Sequence, residues 1–184
     1  MDGERTHVSP RKLIEQFSDK TCETVAEVLK HDSLNRNWPA AWAAVADDRI
    51  ALADAHLAAA VLVQQASRGS ADPNIQRAVI SRAYYAMFCA ARGALSLETN
   101  GDVNAHTKVA DILKKSTSLK PSADREAVVS ALSKFRILRN EADYSAYYPA
   151  SLDRDAIKAV ESAQKVLRIC RAWVQQIKKT RGLT

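Results

Sequence analysis

Apolar residues recur along this chain at spacings of three and four and nowhere in sustained strict alternation. That period belongs to α-helices with one face turned to a core. Ser9-Pro10 places a capping side chain before a proline at the first helical position and predicts a helix through Leu29. Its apolar stripe (Leu13, Ile14, Phe17, Val25, Val28, Leu29) is thin. Residues 31–39, HDSLNRNWP, are polar and read as a linker. Residues 1–38 are therefore expected to be an appended helical arm and linker, and residues 39–184 the main bundle.

A second helix is expected from Pro39 to Gln65 on Trp42, Val45, Ile50, Leu52, Leu57, Val61 and Leu62. Asp72-Pro73 restarts helix with a strong cap signature. The helix it opens, to Leu97, is apolar nearly all round and is expected at the centre of a bundle. Asn104 is a candidate cap for a short helix, Ala105 to Lys115, and Pro121-Ser122 opens the next, with Val128, Val129, Leu132, Phe135 and Leu138 inward. Pro149 disfavours helix at Tyr148, so that element ends near Tyr144. Ser151, with Asp153 and Asp155 in the first turn, opens a last helix to Lys178. The expected fold is all-α: an up-and-down bundle of four long helices and one short one, preceded by the arm.

Composition agrees. Only five glycines and five prolines occur in 184 residues, which argues against a sandwich, a barrel or a phosphate-cradling glycine loop. There is no run of apolar residues long enough to span a membrane, and no metal-binding spacing among Cys22, Cys89 and Cys170. No cofactor, no metal and no membrane are expected, and the separated cysteines suit a reducing cytoplasm. Lys plus Arg number 27 against 21 Asp plus Glu, a net charge of +6 that permits a polyanionic partner without requiring one.

Polar chemistry concentrates in FRILRNEADYSAYYP, residues 135–149. On a helix, Arg136, Asn140 and Asp143 share one face, and Arg139 meets Asp143 at i+4. An aspartate in a last turn opposes the helix dipole, so Asp143 calls for a cation or donor nearby. Tyr144, Tyr147 and Tyr148 add apolar area with hydroxyl handles. A second cluster, ISRAYYAMFCAARGAL at residues 80–95, sets Ser81, Tyr84, Tyr85 and Phe88 at helical spacing beside Arg82 and Arg92. A charge at Arg82 on so apolar a helix needs a partner or a wet cleft. After residue 157 the chain carries Lys158, Lys165, Arg168, Arg171, Lys178, Lys179 and Arg181 against Glu161 alone, a face suited to phosphates. Trp173 beside Val166 and Ile169 widens its apolar arc and suggests a partner chain.

Three local patterns in order resemble the HEPN domain ("higher eukaryotes and prokaryotes nucleotide-binding"), closest to its small stand-alone prokaryotic members. They are R-A-Y-Y-A-x-F-x-A-A-R-G-x-L from Arg82, N-A-H-T-K-V from Asn104, and R-x-x-R-N-E-A-D-Y from Arg136. The likeness spans roughly residues 40–178. It implies a bundle that dimerises so that motif helices of two subunits line one cleft. Many members are metal-independent ribonucleases, often toxins paired with a nucleotidyltransferase-like antitoxin, or effectors of phage defence. Their site is an arginine followed after four to six residues by histidine. Arg139-Asn140 matches the first half, but Tyr144, Ser145 and Ala146 stand where the histidine belongs.

The missing imidazole matters, because attack by a 2′-hydroxyl needs a base that titrates near neutrality. Tyrosine, near pKa 10, and aspartate, near 4, serve poorly. The expectation is therefore an HEPN-like dimer that binds RNA or a nucleotide through Arg136, Arg139, Asn140, Asp143, Arg82 and Tyr85, in a toxin–antitoxin or phage-defence system. Two alternatives stay open. One is a ribonuclease in which Asp143, Tyr144 or His106 works with Arg139 in place of the motif histidine. The other is a structural protein whose polar residues only lock the bundle.

Overall fold

The computed structural model describes residues 32–66, 72–148 and 151–183, with side chains from residue 39. Five helices account for most of them: α1 (Asp32–Ala66), α2 (Pro73–Thr99), α3 (His106–Lys115), α4 (Ser122–Tyr144) and α5 (Leu152–Thr180). No strand occurs among the described residues. The fold is the expected all-α bundle of four long helices and one short one.

Helix α1 begins before the expected proline. It starts at Asp32 and carries Pro39 inside it, so residues 32–38 are helical and not a linker. A proline inside a helix removes one backbone hydrogen bond, but neighbouring turns hold the rest. The expected arm helix from Ser9 to Leu29 lies outside the described residues. From Trp42 the buried stripe of α1 runs through Val45, Ala46, Ile50, Ala53 and Ala60.

The centre of the bundle is α2, which touches every other helix. Asp72 caps it by accepting the Asn74 backbone N–H at 2.9 Å, with Pro73 at its first turn. The helix is not apolar all round. From Ala86 to Leu97 it is buried except at Arg92, but its first half exposes Asn74, Ala78 and Arg82 along one side. Small residues bring α1 close: a Cβ on Gly93 would sit 3.2 Å from the Ala46 carbonyl oxygen and 3.2 Å from Arg49 Cβ. Beyond α2, Asp102 receives Arg49 at 2.8 Å and a two-pronged contact from Arg92, so two cations from two helices clamp the turn leading to α3. Desolvation pushes the Asp102 carboxyl up, but the Arg92 and Arg49 bonds outweigh it and hold it below the ordinary carboxylate range.

Helix α3 starts at His106 after Ala105, and Asn104 does not cap it. Val109 and Leu113 seal it to the core. Helix α4 buries Val128, Leu132 and Phe135 and ends at Tyr144, as the proline pattern predicts. Helix α5 buries an arc from Ala156 to Val174. Trp173 is 2% exposed and donates its indole N–H to the Lys120 carbonyl at 2.9 Å. Trp173 is therefore covered by the turn before α4, Val166 and Ile169 are buried as well, and the expectation that this arc marks a partner surface is overturned. The basic face of α5 is partly neutralised by α1, through Arg171–Asp54 at 2.6 Å and Lys178–Asp47 at 2.8 Å. Among the described residues, no helix is long and apolar enough to cross a membrane.

Candidate functional site

The last turns of α4 lie beside the exposed half of α2, and the two predicted clusters meet there. Arg139 Nε lies 2.7 Å from Asp143 Oδ2, one helical turn on. That N–H is not aligned with the carboxylate, so the contact is ionic. Ser81 of α2 donates to the same carboxylate oxygen at 3.3 Å. Asp143 thus has both the cation and the donor that its place in a last turn demands.

Arg139 is held on every side. It donates to the Tyr85 hydroxyl and, at 3.1 Å, to the Asn140 side-chain oxygen. Its Cζ is 5.0 Å from the centre of the Tyr85 ring and 5.3 Å from that of Tyr144. Contacts of this kind are worth about 0.5–2 kcal/mol each, depending on exposure, and fix the plane of the guanidinium. Arg136, half-buried one turn earlier, has no hydrogen-bond or ion-pair partner among the described residues. Its charge nonetheless acts on Tyr84 and on His106.

His106 contacts neither Arg139 nor Asp143. Its Nδ1 lies 2.8 Å from the Tyr84 hydroxyl, and its ring stacks on Phe88 with centroids 3.9 Å apart. Burial first, then the charges of Arg139, Arg92 and Arg136, lowers its pKa below the ordinary 6.5, so the imidazole is neutral at pH 7. Tyr84 is buried, and its phenol is pushed up to about 12 against the pull of Arg136 and Arg139. Tyr84 is thus a hydrogen-bonding phenol at neutral pH, not a phenolate.

A second imidazole joins from α1. His56 stacks on Tyr85 with ring centroids 5.7 Å apart, and burial together with the Arg82 charge lowers its pKa. No local motif signals His56, because it lies on another helix and reaches Tyr85 only through helix packing. Arg82 is exposed on the α2 side, at the rim of the cluster near His56 and not within its centre. The three tyrosines after Asp143 divide: Tyr144 and Tyr147 are each 76% exposed, whereas Tyr148 is buried and donates to Asp155 at 3.3 Å.

Arg77 has no counterpart among the predicted site residues, yet it fastens the end of α4. It donates to the carbonyls of Ala142 at 2.9 Å and Ser145 at 2.7 Å, with longer bonds to Glu141 and Ala146. Among them, the Ala142 carbonyl is one that a helix end leaves without an intrahelical partner. The only advance signal was a cation on α2 at a spacing of four from Ser81.

One arginine, Arg139, thus pairs with the Asp143 carboxylate, with Arg136 one turn earlier on the same helix, Arg82 at the rim near His56, and the exposed Tyr144 ring beside it. Such a surface can take an anion and a planar ring together. No group of three or more histidine, cysteine or acidic side chains able to hold a metal occurs among the described residues.

An all-α bundle whose central helix, short histidine-bearing helix and arginine-bearing helix end meet on one basic, aromatic ledge defines a helical domain with an anion-suited site. The family model described as the HEPN domain matches residues 55–173, more than half of the chain, and the chain belongs to that family. No curated protein matches it.

Proposed function

We propose that this HEPN protein binds RNA or a nucleotide in a cleft between two subunits, within a toxin–antitoxin or phage-defence system, where a nucleotidyltransferase-like antitoxin is its partner. One observation carries this reading: Arg139 is locked in place while Arg136 beside it has no hydrogen-bond or ion-pair partner among the described residues. A preorganised cation next to an uncommitted one suits a phosphate, which takes several N–H donors at once. Dimerisation through this edge is supported by the apolar area beside the site, where Ile137 is 53% exposed and Tyr144 76%. Burying that area against a second copy gives the ledge an opposite wall.

The test is fluorescence anisotropy with a short single-stranded RNA across a salt series, alongside light scattering for mass. Binding is expected to weaken as salt rises, at about 0.7 log units per log unit of salt for each phosphate contacted. Arg136→Ala is expected to lower affinity without moving the melting temperature, and Arg139→Ala to lower both. Salt-insensitive or absent binding refutes the reading, as does a protein that stays monomeric at micromolar concentration. A fall in melting temperature in Arg139→Ala with ligand binding untouched supports the purely structural alternative.

A second reading is favoured by the state of His106. A neutral imidazole in the field of Arg136 and Arg139 is the species that can accept a 2′-hydroxyl proton, and its depressed pKa keeps it available below neutrality. In a metal-independent ribonuclease of this kind, RNA incubated with EDTA yields 2′,3′-cyclic phosphate ends. The activity rises with pH with a midpoint below the ordinary 6.5 of histidine, and His106→Gln lowers it about 10²–10⁴-fold. RNA left intact at high protein concentration rejects catalysis while leaving binding open.

A further inference from the structure

At the other end of α2, about 20 Å from Tyr85 along the helix, lies a separate cavity of about 310 Å³. Leu119, Trp173 and Ile177 give it apolar walls, and Glu98, Ser118 and Arg181 add polar ones. Glu98 is the unusual member. Its Oε1 accepts from Ser116 at 2.6 Å and from Ser118, tying down the turn before α4. Its Oε2 is buried and has no hydrogen-bond partner among the described residues. A carboxylate oxygen out of water without a donor is unfavourable, and a donor entering the cavity relieves it.

The neighbouring cation does not meet that need. Arg181 is committed to the end of α2, donating to the carbonyls of Leu97 and Glu98 and to the Asn100 side chain. Glu98 is the one carboxylate in the lining. An anionic ligand would face the unpaired Glu98 oxygen with no donor to offer it, and a wholly apolar ligand would leave that oxygen unpaired. We propose that this cavity is a binding site for small organic cations, with an ammonium or guanidinium group paired to Glu98 and a short aliphatic stem against Leu119, Trp173 and Ile177. The site is independent of nucleic-acid binding at the end of α4, and its failure leaves that reading intact.

The test titrates the ¹⁵N-labelled full chain with n-butylamine, which is an ammonium at neutral pH, and with n-butanol and butyrate as matched neutral and anionic probes. The indole N–H of Trp173, hydrogen-bonded to Lys120 in the cavity wall, is the reporter. Butylamine is expected to move that resonance saturably, and butanol and butyrate are not. Glu98→Gln keeps the oxygen that Ser116 and Ser118 use and is expected to weaken the amine by about tenfold or more. Gln176→Trp, an exposed wall position, is expected to fill the cavity and abolish the shift in a folded protein. The proposal is overturned by equal shifts from butanol, by an unchanged titration in Glu98→Gln, or by no saturable shift in the wild-type chain, the result expected of a cavity that holds water only.

Discussion

Replacing Asp102 with asparagine removes one charge and almost no volume from the clamp formed with Arg49 and Arg92. The side chains of Asp102 and Arg49 are 8% and 9% exposed, so solvent screening does little to weaken the loss. Removing one partner of a buried pair leaves an uncompensated charge and costs about 3–5 kcal/mol. At about 2–4 °C per kcal/mol for a chain of this size, the melting temperature should fall by about 6–20 °C. The sign with pH follows from the depressed carboxyl. A carboxylate whose folded pKa lies below its unfolded 3.8 contributes fully above that value and loses its contribution as pH falls through the folded pKa. Thermal melts followed by circular dichroism should give a constant gap between wild type and Asp102→Asn from about pH 5 to 8, closing below about pH 4. The double variant Arg49→Met, Asp102→Leu should recover much of the loss, since apolar packing can replace a buried ion pair. A fall of less than about 3 °C at pH 7, or a gap that widens in acid, would refute the claim that these charges hold the α2–α3 turn.

Other outcomes follow from single positions. Gly93→Val forces a side chain where only 3.2 Å separates the Cβ position from α1, and should cost about 1–3 kcal/mol in urea unfolding; a neutral result would mean that the two helices part freely. Arg77→Ala should cost about 1–3 kcal/mol and raise hydrogen exchange in the last turn of α4, including the Ser145 amide bonded to Glu141. Unchanged exchange there would mean that water replaces the guanidinium at no loss.

Much of this architecture is written locally. Asp72-Pro73, Pro121 and the Tyr148-Pro149 step mark helix ends because capping and the missing proline N–H act within a few residues. The Arg139–Asp143 pair is equally local, since a spacing of four puts both on one helix face. Proline misleads at Pro39 for a related reason. It is most at home in a first turn, so pattern alone starts α1 there, whereas the helix begins at Asp32. Trp173 misleads because periodicity reports the width of an apolar arc, not which segment covers it, and the cover is the turn at Lys120.

His56 shows where local information ends and what replaces it. Consecutive helices α1 and α2 run antiparallel, so positions that face each other change in opposite senses along the two chains. Gly93 lies against Ala46 and Arg49; eight residues earlier on α2 is Tyr85, and seven to ten residues later on α1 is His56. One packing register therefore produces both the close approach at Gly93 and the imidazole stack on Tyr85. Tyr85 in turn bonds Arg139, so the absence of a side chain at Gly93 sets, through two helices, the surface on which the arginine rests. Spacing within any one helix carries no trace of that link. It is carried by the small volume of Gly93 and the alanines around it, which fixes how the helices meet before any polar group is placed.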